Sequence, residues 1–171
     1  MIDLATTNIL VAGIGGQGVM TAAEILAQTA LTQGYDVKKT EVAGMAQRGG
    51  VVTSHVRFGE KVNSPAIPDG EADLILGFEP AEAARWLIQL KQRGVVLVNQ
   101  NIQVPPIVNI GLFKYPDDPV ASIVERGVEV HAFNATKIAQ KLGNIKLVNT
   151  VMLGASSAHL PFSADILKES I

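Results

Sequence analysis

Apolar residues along this chain recur in two patterns, short continuous runs and longer stretches with helical spacing. The short runs, rich in β-branched residues, predict buried strands, and the longer stretches predict helices. The predicted strands cover residues 8–13, 36–42, 51–58, 72–78, 95–98 and 128–133. The predicted helices cover residues 17–33, 80–93, 118–126, 135–142 and 145–160, and a last one begins at Ser163. Residues 63–70 and 100–111 contain two prolines each and predict connections without a helix.

The alternation of strands and helices predicts one α/β domain that spans residues 1–171. We expect a Rossmann-like fold, in which a mostly parallel sheet carries helices on both faces. Residues 51–58 depart from this repeat because they follow strand two with no room for a helix. They predict a β-hairpin or an edge strand, inserted after strand two.

The composition of the chain argues against several classes of function. A net charge of −2 argues against binding to nucleic acid or to an anionic membrane. The absence of cysteine excludes disulfides, thiolate metal sites and a cysteine nucleophile. The three histidines show no metal-binding spacing, and we predict neither a metal site nor a catalytic residue.

The same composition bears on location and assembly. No run reaches the roughly 18 apolar residues of a membrane span, and the N-terminus lacks a signal-peptide pattern, which together predict a cytoplasmic protein. Charged residues make up only 18% of the chain, which leaves room for a large apolar partner interface. The isolated chain could form a homodimer through such a surface.

A glycine-rich loop lies between the first predicted strand and the first predicted helix. Gly13, Gly15 and Gly18 fit the G-x-G-x-x-G pattern of a tight turn that lets an anion approach the helix N-terminus. The same pattern can serve strand–helix packing or a subunit contact instead. The residues of this loop that we predict to bind a cofactor or ligand are Gly13, Gly15, Gly16, Gln17 and Gly18.

Glu41 is a second candidate because it follows Gly18 by 23 positions, close to the spacing of a carboxylate that binds the ribose of NAD. The alternative is a solvated charge at a strand end. Asn149 is a third candidate, since an amide within an apolar helix needs a hydrogen-bond partner. That partner could be the glycine loop, a ligand or another core group.

A second glycine-bearing loop, Gly44-Met45-Ala46-Gln47-Arg48-Gly49-Gly50, precedes the inserted strand. Arg48 could clamp a phosphate or carboxylate, with Gly49 and Gly50 allowing close approach. It could also anchor a protein interface, where arginine is enriched, or simply stand in a turn.

Taken together, these segments resemble a known family. Residues 13–18, 41–50, 52–58, 67–80 and 149–154 resemble the gamma-type subunit of 2-oxoacid:ferredoxin oxidoreductases. Gly44-Met45-Ala46-Gln47-Arg48-Gly49-Gly50 is most similar to the small subunit of the indolepyruvate enzymes, because pyruvate-type members usually differ just before Arg-Gly-Gly.

The resemblance implies a role in oxidative decarboxylation, in which a 2-oxoacid and coenzyme A give acyl-CoA, carbon dioxide and two reduced ferredoxins. It implies that thiamine diphosphate, magnesium and the iron–sulfur clusters belong to partner subunits, and that ferredoxin is reached through the complex. This chain would bind no cofactor alone and would be catalytically silent. It would pack on the thiamine subunits, with Arg48 and the Gly13–Gly18 loop facing the partner or the phosphates of coenzyme A.

The competing interpretation is a free-standing NAD-binding oxidoreductase, or a nucleotide-sensing module, that uses the Gly13–Gly18 loop and Glu41. An oxidoreductase of that kind needs an acid or base near the nicotinamide, and the sequence offers no clear candidate.

Overall fold

The computed structural model describes residues 6–43, 49–112 and 114–171. The strands are β1 (Thr7–Ile14), β2 (Asp36–Ala43), β3 (Val51–Gly59), β4 (Ala72–Gly77), β5 (Leu90–Asn99) and β6 (Glu129–Phe133). The helices are α1 (Val19–Thr32), α2 (Pro80–Arg85), α3 (Pro106–Asn109), α4 (Pro119–Val124), α5 (Ala135–Lys141), α6 (Val148–Ser156) and α7 (Ala164–Glu169). No helix within these ranges is long and apolar enough to cross a bilayer.

The described strands form one mixed sheet in the order β2-β3-β1-β4-β5-β6. β1, β4, β5 and β6 are parallel neighbours, whereas β3 is antiparallel to both β1 and β2. The predicted α/β fold is therefore confirmed. β3 pairs with β2 as a hairpin, but it lies between β2 and β1 and is not an edge strand. The reason is visible in its burial, because most of β3 is buried on both faces, as a central strand requires.

Successive residues of β1 point to opposite faces of the sheet and divide the core in two. Ile9 and Val11 pack in a cluster that includes residues of α1, α6 and α7. Leu10 packs in a second cluster with residues of α2 and α4. Both faces are covered, as the sequence predicts, and the loops at the carboxyl ends of the parallel strands are left to carry a site.

The predicted helix over residues 80–93 is wrong in its second half. α2 ends at Arg85, a 3₁₀ turn follows over Trp86–Gln89, and β5 begins at Leu90. Leu90 pairs with Ala72 of β4, and the pairing is irregular between Ala72 and Leu74. Pairing with β4 extends the strand toward its N-terminus and overrides the helical spacing of the apolar residues.

The prediction that residues 100–111 contain no helix is also wrong, because α3 lies within them. Pro105 precedes this helix and Pro106 occupies its first position. Proline suits that position, where the missing N–H group would have no partner within the helix.

Candidate functional site

The first glycine loop is a tight turn closed by its own glutamine. The Ile14 N–H donates to Gln17 Oε1 at 2.8 Å, and the Gln17 N–H donates to the Ile14 carbonyl at 3.1 Å. Gly13 is closely packed, since a Cβ there would lie 2.9 Å from Phe78 Cβ and from Val19 Cγ2. Gly13 therefore serves strand–helix packing.

The other glycines of the loop have different surroundings. Gly16 and Gly18 have φ angles of 100° and 89°, in the left-handed region that favours glycine. Gly16 has open space where a Cβ would stand. At Gly18 a Cβ would lie 2.3 Å from both Oδ1 and Nδ2 of Asn149. The amide of Asn149 thus covers the start of α1.

The structure brings the second glycine loop against the first. The Gly15 N–H donates to the Gly50 carbonyl at 2.8 Å, and the Gly49 N–H donates to the Gly15 carbonyl at 3.3 Å. These bonds continue the antiparallel pairing of β1 with β3. Arg48 and the rest of that loop, residues 44–48, lie outside the described residues.

A cleft of about 460 Å³ opens beside the first loop. Gly16, Gln17, Gly18 and Asn149 form one side of it. Side chains that follow the carboxyl end of β5 and begin α5 form the other side, together with the turn before α6. These further lining residues are Asn99, Asn101, Gln103, Thr136, Ile145, Lys146 and Val148.

The polar wall of this cleft is prearranged by hydrogen bonds. Asn99, which is 2% exposed, donates from Nδ2 to Thr136 Oγ1 at 3.1 Å and to the Phe78 carbonyl at 3.4 Å. The Asn101 N–H donates to Asn99 Oδ1 at 3.4 Å. Asn149 is only half-buried, and its amide has no hydrogen-bond partner among the described residues. As far as the described residues are concerned, the amide can bond a group that enters the cleft.

The chemistry of the cleft is that of a binding site. Its described lining holds amides, one hydroxyl and one charge, Lys146, without a carboxylate or a histidine. Within the described ranges, no group of three or more histidine, aspartate or glutamate side chains could hold a metal ion. The N-terminus of α1 adds a positive dipole, which favours an anion. The cleft can hold a polar or anionic group, but the described residues that line it include no acid–base pair for proton transfer.

Glu41 does not join this site. It lies on the edge strand β2, and β3 separates that strand from β1 and the loop. Its Oε1 accepts a hydrogen bond from Lys39 Nζ at 2.8 Å, and Lys39 also pairs with Glu24 of α1. Burial opposes the charge of Lys39, yet its bonds to the two carboxylates outweigh burial and raise its pKa. This placement gives no support to a ribose-binding role for Glu41.

Sequence reasoning missed the β5 side of the cleft. Asn99, Asn101 and Gln103 directly follow the apolar run 95–98, in the strand-end position where parallel sheets bind ligands, and this was the available signal. It also missed that His131 and His159 meet, with ring centroids 5.6 Å apart.

Comparison with known proteins gives a consistent family. The family model described as pyruvate ferredoxin/flavodoxin oxidoreductase matches residues 8–171. The chain is 45% identical over 170 residues to the indolepyruvate oxidoreductase subunit IorB of Thermococcus kodakarensis, with 96% of this chain and 84% of the relative covered. It is 28% identical over 145 residues to the common gamma subunit of the pyruvate/ketoisovalerate oxidoreductases of Pyrococcus furiosus, with 84% and 72% covered.

A solved structure shows the same fold. The gamma subunit of a keto/oxoacid ferredoxin oxidoreductase from Geobacter sulfurreducens superimposes with a TM-score of 0.67 at 25% identity. The superposition covers 96% of this chain and 83% of that one.

Proposed function

The chain belongs to the pyruvate ferredoxin/flavodoxin oxidoreductase family, and we propose that it is the small, non-catalytic subunit of a 2-oxoacid:ferredoxin oxidoreductase of the indolepyruvate type. The observation that carries this proposal is the match along nearly the whole chain to subunits of such enzymes. The higher identity to the indolepyruvate subunit than to the pyruvate-type subunit supports the more specific assignment.

The geometry supports a silent subunit. The described cleft offers hydrogen-bond donors and acceptors and a single cation, which can position a ligand but not activate it. The chain has no cysteine with which to hold an iron–sulfur cluster. We therefore assign thiamine diphosphate, magnesium and the clusters to partner subunits, and ferredoxin to the assembled complex.

The two sides of the Gly13–Gly18 loop suggest different uses. One side is the amide-lined cleft, which suits the polar end of coenzyme A at the entrance of the complex: Lys146 and the start of α1 would attract its phosphates. The other side is a recess of about 560 Å³ that includes Ile14, Val19, Met20 and Val52. Its apolar character suits packing on a partner subunit.

Arg48, Gly49 and Gly50 belong to the same proposal. Gly49 and Gly50 hold the second loop against the first through the bonds to Gly15. We place Arg48 at the face that meets the partner or the coenzyme A phosphates. Asn149 would bond to the group that enters the cleft.

The test is an anaerobic pull-down of the tagged chain from its native cell extract. We expect co-purification with iron and thiamine diphosphate and with ferredoxin reduction that depends on a 2-oxoacid and coenzyme A. A chain recovered alone, with bound NAD and with neither iron nor thiamine, would overturn the proposal and favour the NAD-binding alternative.

A variant of Lys146 tests whether coenzyme A binds in the amide-lined cleft of that complex. Lys146→Ala should raise the KM for coenzyme A several-fold while kcat changes little, because Lys146 would bind the co-substrate without touching the chemistry. Lys141→Ala removes an exposed lysine at the end of α5, which does not line the cleft, and is the matched control. Equal effects of the two variants would contradict the assignment of the cleft to coenzyme A.

A further inference from the structure

A second pocket, of about 420 Å³, lies beside α2 on the opposite face of the sheet from the amide-lined cleft. Its walls are largely apolar, formed by Val51, Ala81, Ala84, Pro105, Val108 and Pro116. This volume is in the range of small-ligand sites. Glu82, Arg85, Lys114 and Tyr115 supply its polar groups.

Glu82 is a buried carboxylate whose only cationic neighbour among the described residues is Arg85. The residue is fully buried, and neither of its carboxylate oxygens has a hydrogen-bond partner among the described residues. Arg85 Nε approaches Oε2 at 3.2 Å, but the arginine side chain is 62% exposed. Burying a carboxylate in this way is unfavourable unless donors compensate it.

A second buried carboxylate lies next to it but is already satisfied. Glu79 accepts the Glu82 N–H on Oε2 at 3.0 Å and the Tyr115 hydroxyl on Oε1. Lys114 is highly exposed and pairs with Asp117 at 3.1 Å. The buried charge of the pocket is therefore negative, and the cations near it are on the outside.

Electrostatics agree with the geometry. Burial raises the pKa of Glu82, Arg85 opposes the rise, and Glu79 adds to it. A cation that carried N–H groups would relieve both the burial of the carboxylate and its repulsion by Glu79.

We propose that this pocket is a binding site for a guanidinium or primary ammonium group on an apolar stem, with Glu82 as its acceptor. The exposed Arg85 side chain moves aside, and the N–H groups of the ligand bond to the Glu82 carboxylate in its place. The stem of the ligand lies along the apolar walls. An arginine-like or lysine-like group has this chemistry, whether it belongs to a free small molecule or to a side chain of another protein.

The test uses agmatine as the probe and the full chain as the receptor, with binding measured by calorimetry. We expect saturable 1:1 binding that Glu82→Gln weakens at least about tenfold, the loss typical of a hydrogen bond to a charged group. Glu125→Gln is the matched control because Glu125 is exposed and does not line the pocket.

A second pair of variants keeps the test independent of any folding defect at Glu82. Arg85→Ala removes the cation that, within the described part of the chain, lies against Glu82, and it should tighten agmatine binding a few-fold. Arg126→Ala removes an exposed positive charge elsewhere and should leave binding unchanged. No saturable binding, or equal responses of each variant and its control, would overturn the proposal.

A further experiment distinguishes a partner side chain from a free small molecule as the source of the cation. This experiment alone rests on the proposed function. Agmatine binding that is present in the isolated chain and lost in the assembled complex would identify a partner side chain as the occupant. Binding retained in the complex would identify a free small molecule.

Discussion

The amide-lined cleft and the pocket beside α2 are close to the same end of the sheet but solve the problem of burying polar groups in different ways. In the cleft, the buried Asn99 carries no charge and has hydrogen-bond partners in Thr136 and Phe78. In the pocket, Glu82 is equally buried but lacks hydrogen-bond partners among the described residues. The first arrangement is stable as it stands, and the second is expected to gain from a ligand.

The largest expected effect concerns the close contact between Gly18 and Asn149 at the edge of the cleft. Gly18→Ala should lower the free energy of unfolding by roughly 2–5 kcal/mol, because its left-handed backbone disfavours a Cβ and Asn149 occupies the same space. Urea unfolding of Gly16→Ala is the control, since Gly16 has a similar φ angle but open space. If both variants lose the same free energy of unfolding, the contact with Asn149 does not contribute to the effect of Gly18→Ala.

The second effect tests the hydrogen-bonded wall. Asn99→Ala should cost about 1–3 kcal/mol, because Thr136 loses its partner in a buried position. Asn101→Ala, in the half-buried segment after β5, keeps the backbone N–H that bonds to Asn99 and should stay within about 0.5 kcal/mol. Thermal unfolding of both variants measures the difference, and equal values would mean that the wall is not held by Asn99.

The third effect should have the opposite sign. Glu82→Gln should raise the free energy of unfolding at pH 7 by on the order of 1 kcal/mol, because it removes a buried charge that the exposed Arg85 compensates only in part. The pKa of Glu82 is raised in the folded state, so the cost of its charge is present above that pKa and disappears below the unfolded value. The gain should therefore be smaller at pH 4 than at pH 7.

Glu125→Gln is again the control and should change stability little at either pH. A loss of stability in Glu82→Gln at pH 7 would show that the carboxylate is already well paired, and would make the two regions alike.

The smallest effect near neutral pH concerns His55, on the same face of the sheet as Glu82. Its Nδ1 accepts the Ile67 N–H at 3.1 Å, and burial together with Arg57 lowers its pKa. Its neutral form is favoured by folding, so this contribution is complete above the unfolded pKa and is lost as pH falls below it. Stability should decline in acid, and His55→Gln should flatten that decline in unfolding measurements at a series of pH values.

Much of the architecture is predictable from local pattern, and two of the failures, at residues 86–93 and at β3, share one cause. Strands 8–13 and 72–78 are correct because continuous apolar runs have few alternatives. Residues 86–93 carry helical spacing but form a turn and the start of β5, because Leu90 pairs with Ala72, a residue far away in sequence. The edge position of β2 was likewise missed, since burial on both faces of β3 depends on the whole sheet.

The sequence indicated the first glycine loop, which borders the candidate cleft, but it did not indicate Asn99. The glycine spacing is a local signal, because a left-handed backbone angle or a close contact requires glycine at individual positions of the loop. Asn99 and Thr136 form a hydrogen bond only when β5 and α5 are brought together, and no residue spacing in the sequence predicts that contact.

The sequence by itself determined the family, the strand–loop–helix start and the absence of cysteine chemistry, because these depend on residue identity and short-range periodicity. Only the tertiary structure decided that Asn149 covers Gly18, that Glu41 lies apart from the loop, and that Glu82 is buried beside the exposed Arg85. These features depend on which distant segments come into contact and on what solvent they exclude, and both follow from packing the entire sheet.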